Sequence, residues 1–141
     1  MATERVATRV VIVTGSRDWT DRELVESDLD FLASKTTQSL VVFEGGAPGA
    51  DHAAGDWARR QHHETRRSEG LRVQWMPRLA QWSTFGSGAG PRRNEQMVEA
   101  ASSMQVDDRV VLAYPLPDSR GTRDAMEKAL RAGIRVVNRN S

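Results

Sequence analysis

Cysteine is absent from the 141 residues, which excludes disulfides, thiolate zinc sites, iron–sulfur clusters and a cysteine nucleophile. An excess of charge is absent too: 20 basic and 19 acidic residues leave a net charge of +1, so no whole-molecule field draws in nucleic acid or an anionic membrane. Apolar runs such as Val10 to Val13 fall far short of a bilayer span, and no membrane partner is expected. Glu4 and Arg5 stand where a secretory leader needs an apolar stretch, so a cytoplasmic location is expected. The Gly-Lys-Ser/Thr of a P-loop is missing, Gly15 stands without the rest of a G-x-G-x-x-G fingerprint, and Ser16 has no nucleophile-elbow context. His62 and His63 are adjacent and His52 is isolated, so neither a metal site nor a cofactor is expected.

What is present reads as a soluble globular chain: 38% hydrophobic residues, 28% charged residues and a mean hydropathy of -0.57. A mass of 15.7 kDa suits one domain. Residues 1–8 are expected to form a flexible tail and residues 9–141 a single domain. Residues 9–14 make a β-branched run that stops at Gly15, the pattern of a buried parallel strand. Thr20 with Glu23 reads as a capping box, opening a helix with Val25, Leu29 and Leu32 on one stripe. Leu40 to Phe43 is a second strand. A helix from about Ala50 carries Ala53, Ala54, Trp57 and Ala58 inward, and Arg59 to Gly70 is its charged tail. Leu71 to Trp75 is a third strand, and Met76 to Gly90 a long loop of the kind that covers binding sites. A helix from Pro91 follows, with Met97, Ala100, Ala101 and Met104 on one face; then come a strand from Val110 to Tyr114, a helix from Gly121 closed by Gly133, and a last strand from Ile134 to Val137. Such β-α alternation predicts an α/β fold, a Rossmann-like, doubly wound three-layer sandwich around a mainly parallel five-stranded sheet.

In open α/β sheets ligands sit beyond the C-terminal strand ends. Four segments fall there: residues 14–19, 44–51, 88–94 and 119–122. They are rich in glycine, each feeds a helix N-terminus, and three carry arginine, which together suit an anionic ligand such as a phosphate. The expected ligand-binding residues are Gly15, Ser16, Arg17, Gly45, Gly46, Gly49, Asp51, Trp82, Arg93, Asn94, Ser119, Arg120, Gly121 and Thr122. Arg93 precedes Met97 by four and so lies on the inward stripe. Asp51 reads equally as a helix cap or a ribose contact, and Thr122 as a helix cap. Trp19 and Trp82 fall in loops, where anchoring the loop competes with stacking on a base; Trp57 and Trp75 read as core. The basic run of Arg59, Arg60, Arg66 and Arg67 reads as a solvated helix end.

The motifs V-T-G-S-R-D-W at 13–19, G-G-A-P-G-A-D at 45–51, A-G-P-R-R-N-E-Q-M at 89–97 and S-R-G-T at 119–122 resemble the YspA-like family of the SLOG superfamily, which also holds DprA and the LOG phosphoribohydrolases. The resemblance implies a Rossmann-like fold and a pocket for a nucleotide or nucleotide-derived ligand that is sensed or processed, in many such domains in conflict between bacteria and phages. It also implies two further classes of activity: nucleoside-monophosphate phosphoribohydrolysis of the LOG kind, and a DprA-like module for nucleic acid or protein. A homodimer is expected on the same ground. LOG enzymes pair the arginine of R-x-x-x-M with the glutamate of P-G-G-x-G-T-x-x-E. Arg93 to Met97 matches the first motif, but Ala125 stands at the glutamate position, and Asp124 is the nearest carboxylate. Arg93 and Asp124 are therefore the candidate catalytic residues, and whether the chain is an enzyme stays open.

Overall fold

Three β-branched apolar runs and two shorter, more polar strands lie side by side. The computed structural model describes residues 3–65 and 70–139. Strands β1 (Val6–Gly15), β2 (Thr36–Glu44), β3 (Arg72–Pro77), β4 (Asp108–Tyr114) and β5 (Arg135–Asn138) form one sheet in the order β3-β2-β1-β4-β5, and every pairing is parallel. Helices α1 (Arg22–Ser34), α2 (Ala50–Thr65), α3 (Trp82–Phe85), α4 (Ala89–Ser103) and α5 (Arg120–Arg131) provide the connections, with a 3-10 turn at Gly86–Gly88.

The two faces of the sheet cover alternate residues of the three central strands, as period-two geometry requires. Val11 and Val13 of β1 pack with Val25, Leu29, Leu32 and Trp57 of α1 and α2, whereas Val10 and Ile12 pack with Met97, Ala101 and Ala129 of α4 and α5. The result is a three-layer Rossmann-like sandwich. No helix among the described residues is long and apolar enough to cross a membrane.

Several boundaries move. β1 starts at Val6 rather than at residue 9, and the Glu4 carbonyl accepts a hydrogen bond from Arg9 at 2.7 Å. Asp21, not Thr20, caps α1, its carboxylate accepting from the Leu24 N–H at 3.1 Å. The loop expected over 76–90 contains α3, and α4 starts at Ala89, which puts Pro91 at the third helical residue. Trp75 is not core: it lies on edge strand β3, 36% exposed, with Arg59 over its ring and its Nε1 donating to Glu44 at 2.9 Å. Trp57 is buried and donates to Asp30. In the basic run Arg59 pairs with Asp56 and Arg60 with Glu26, while Arg66 and Arg67 lie outside the described residues.

Arg9 opens the β1 apolar run yet is 1% exposed. Its guanidinium pairs with Asp108 at 2.7 Å and donates to the carbonyls of Leu32 and Lys35 and to the Thr36 hydroxyl. The last turn of α1 has no basic residue of its own, so Arg9 supplies the cation that its C-terminal carbonyls favour.

Candidate functional site

A cleft of ≈ 850 Å³ opens beyond the C-terminal ends of β1, β2 and β4. The β1 end supplies Gly15, Ser16 and Arg17, the β2 end Gly45 to Pro48 with Asp51, α4 supplies Gly90 and Arg93, and the β4–α5 turn Asp118 to Thr122 with Asp124. Leu79 and Trp82 line the mouth, 68% and 54% exposed. Of the residues expected to bind ligand, Gly49 and Asn94 stand behind the wall rather than on it.

Gly49 takes φ +84, and a Cβ there would overlap the Ser16 carbonyl oxygen, so the first two loops touch through a bare backbone. Asn94 is buried and braces two elements: its Nδ2 donates to the Gly121 carbonyl at 3.1 Å and to Asp124 at 3.0 Å, and its Oδ1 accepts from Arg93 Nε at 2.9 Å. Arg93 also donates through Nη1 to the Gly45 carbonyl at 2.6 Å. The arginine thus bridges α4 to the β2 turn while bordering the cleft.

The β2–α2 turn is wired differently from a phosphate cradle. Asp51 caps nothing in α2; its Oδ2 reaches back to accept from the Gly45 N–H at 3.0 Å and the Ala47 N–H at 3.4 Å. Glu44 accepts from the Gly46 N–H. Two carboxyl side chains of this chain therefore occupy three amides of the turn. Sequence reasoning assigned Glu44 no role, although an acidic residue closing the run Leu40 to Phe43 was a visible signal.

Burial pushes the Asp51 carboxyl up to about 7; Arg93 opposes the rise, Glu44 adds to it, and the two N–H donors oppose it. The folded state thus holds a proton that the unfolded chain has released above its ordinary carboxylate range. The corresponding stability is full below about pH 4 and drains as pH climbs through about 7. Asp51→Asn should remove this dependence: the wild type loses on the order of 2–4 kcal/mol more than the variant between pH 4 and 8. Denaturant titrations of both proteins at the two pH values check it, and equal losses would refute it.

The β4–α5 turn behaves oppositely. Ser119 stands at the N-cap, but its hydroxyl accepts from the Leu116 N–H at 2.9 Å and caps nothing in the helix. Thr122 is no cap either; it is the third residue of α5 and is buried. The Gly121 and Thr122 N–H groups have no protein partner among the described residues, and Arg120 and Arg17 are exposed beside the cleft. Asp124 borders the cleft and pairs with Lys128 at 2.8 Å, whereas Ala125 is buried inside. Trp19 packs its ring 5.3 Å from that of Tyr114 and donates to the Asp21 carbonyl, so it anchors its loop.

A parallel sheet with a glycine-walled cleft at its carboxyl edge defines a Rossmann-like ligand-binding domain. Residues 9–69 match the model of the YspA, cpYpsA-related SLOG family. The chain is 41% identical over 130 residues to the Gene 61 protein of Mycobacterium phage D29, an overlap covering 92% of this chain and 95% of that protein. The chain belongs to the YspA, cpYpsA-related SLOG family. No solved structure matches it significantly. Membership carries a role in binding or processing a nucleotide-related ligand in general terms.

Proposed function

We propose that the cleft binds a nucleotide or nucleotide-derived small molecule, with its phosphate at the α5 end. The observation that carries this reading is the uncapped first turn of α5, whose Gly121 and Thr122 line the cleft together with Arg120 and Arg17. Helix N-termini favour anions, and arginine forks suit phosphate oxygens. Trp82 at the mouth offers an exposed face on which a base can stack. Gly15 and Ser16 bring backbone close to the ligand on the facing wall.

Thermal-shift measurements over nucleoside monophosphates, ADP-ribose and cyclic dinucleotides test the reading. A ligand at a hundred times its Kd should stabilise by about 2.7 kcal/mol. Arg93→Ala should weaken that ligand by about 1.5–3 kcal/mol, the range for hydrogen bonds to charged groups. A panel without any shift would refute the reading.

A second reading, N-glycosidic hydrolysis, draws support from Asp124, which borders the cleft one residue before the position where LOG enzymes have their glutamate. Lys128 and Asn94 both hold its carboxylate, so we expect binding with slow base release or none. Brisk release that Asp124→Asn abolishes would make Asp124 the catalytic carboxylate. We extend the reading to a homodimer on the resemblance, and to a cytoplasmic location on the polar N-terminal residues Glu4 and Arg5. A nucleic-acid partner requires salt-sensitive binding to single strands.

A further inference from the structure

Asp51 leaves one atom without a partner. Its Oδ2 takes the Gly45 and Ala47 N–H groups, but Oδ1 is buried and unpartnered among the described residues. The residue as a whole is 4% exposed and borders the cleft. A buried polar oxygen of this kind is costly unless a ligand supplies what the protein does not.

The surroundings say what the ligand group must be. The three nearest turn amides, of Gly45, Gly46 and Ala47, are consumed by Asp51 and Glu44. An anionic oxygen placed here would meet two carboxyl side chains, with the Gly45, Gly46 and Ala47 amides already taken. Arg93 is the facing cation, with Nε and Nη1 engaged by Asn94 and Gly45 and other N–H groups to spare. The group that fits a carboxyl acceptor beside a guanidinium donor is a neutral one that both donates and accepts, which is a hydroxyl.

We propose that Asp51 reads a ribose hydroxyl: Oδ1 accepts its hydrogen, Arg93 donates to its oxygen, and the cleft thereby selects ribonucleotide-type ligands over their deoxy counterparts. The inference rests on the nucleotide reading above and adds the sugar to it. It places the two ends of the ligand, sugar against the β2–α2 turn and phosphate against α5. Accepting the hydroxyl favours the ionised carboxylate, so binding near neutral pH also releases a proton. The charged groups facing Asp51 are Glu44 from β2 and Arg93 from α4; Arg17, Asp18, Asp118, Arg120 and Asp124 line the rest of the cleft.

The test compares the four ribonucleoside 5′-monophosphates with their 2′-deoxy and 3′-deoxy forms by calorimetry, on the wild type and on Asp51→Asn. In the wild type at least one deoxy form should bind about tenfold or more weakly than its ribo parent. In Asp51→Asn, which keeps an acceptor for the turn amides, that gap should shrink to about threefold or less. Titrations at pH 6.5 in two buffers of different ionisation enthalpy should show proton release with the ribo form, and less with the disfavoured deoxy form. That comparison needs only wild-type protein, so it decides the matter even if the variant does not fold. Equal ribo and deoxy affinities would overturn the inference and leave nucleotide binding intact. A gap that survives in Asp51→Asn would overturn it as well. No binding by any monophosphate would overturn this inference and the monophosphate form of the nucleotide reading together.

Discussion

Arg9→Ala should cost about 3–5 kcal/mol of stability, because it strips several buried acceptors of their donor at about 1–3 kcal/mol each. The guanidinium is 1% exposed and serves five acceptors on four parts of the chain: Glu4, the end of α1, Thr36 of β2 and Asp108 of β4. Asp108 keeps Arg135 at 2.9 Å, so the loss falls mainly on the α1 carbonyls and the Thr36 hydroxyl. Bonds from Arg135 and Arg9 outweigh burial and hold the Asp108 carboxyl below its usual range, and losing Arg9 weakens that hold. Arg9→Met, which keeps the unbranched apolar stem but not the guanidinium, should recover part of the packing but none of the hydrogen bonds. Urea midpoints measure both variants. A change under about 1 kcal/mol in Arg9→Ala would show the buried arginine to be dispensable.

Gly49→Ala should be nearly as damaging and should act on the cleft as well. At φ +84 any side chain is strained, which costs about 1–3 kcal/mol. The added Cβ would also overlap the Ser16 carbonyl oxygen and come within 3.0 Å of the Arg17 carbonyl oxygen. Both are backbone atoms, so the two loops must part, and overpacking of this kind adds about 1–3 kcal/mol. Arg17 then leaves its place beside the cleft. We expect ligand binding to weaken by at least tenfold alongside the stability loss, measured by calorimetry on protein kept well below its melting point. Wild-type affinity in a destabilised Gly49→Ala would show that Gly49 serves only the fold.

The central strands were legible because parallel strands buried on both faces read as unbroken apolar runs, which Val10–Val13 and Val110–Tyr114 do. The cleft loops were legible because glycines cluster after those runs. Arg9 was hidden by the same rule: a residue at the head of an apolar run carries no mark of whether its charge is paired inside. The wiring of Glu44 and Asp51 into their own turn was equally hidden. A carboxylate beside glycines reads the same whether it serves the loop or a ligand, and only the fold decides which N–H groups it meets. Asp124 and Ala125 show the limit of motif spacing. One step along α5 turns a side chain by about 100°, and that step decides which of the two borders the cleft. Trp75 misled because an aromatic in a strand signals the sheet and not its edge.

The sheet's central pairing also sets when the chain can fold. β1 joins β4 through contacts such as Arg9 with Asp108, 99 positions apart, while β1 and β2 meet across a much shorter loop. On a ribosome the N-terminal half emerges first, with Val10 and Ile12 of β1 and Val41 and Phe43 of β2 lacking the Met97, Ala101 and Ala129 that later cover them. Closing so distant a contact is entropically slow, and chains dominated by such contacts fold late. The nascent chain therefore carries an uncovered apolar sheet face until α4, β4 and α5 have been synthesised, a window in which chaperones and self-association compete for it.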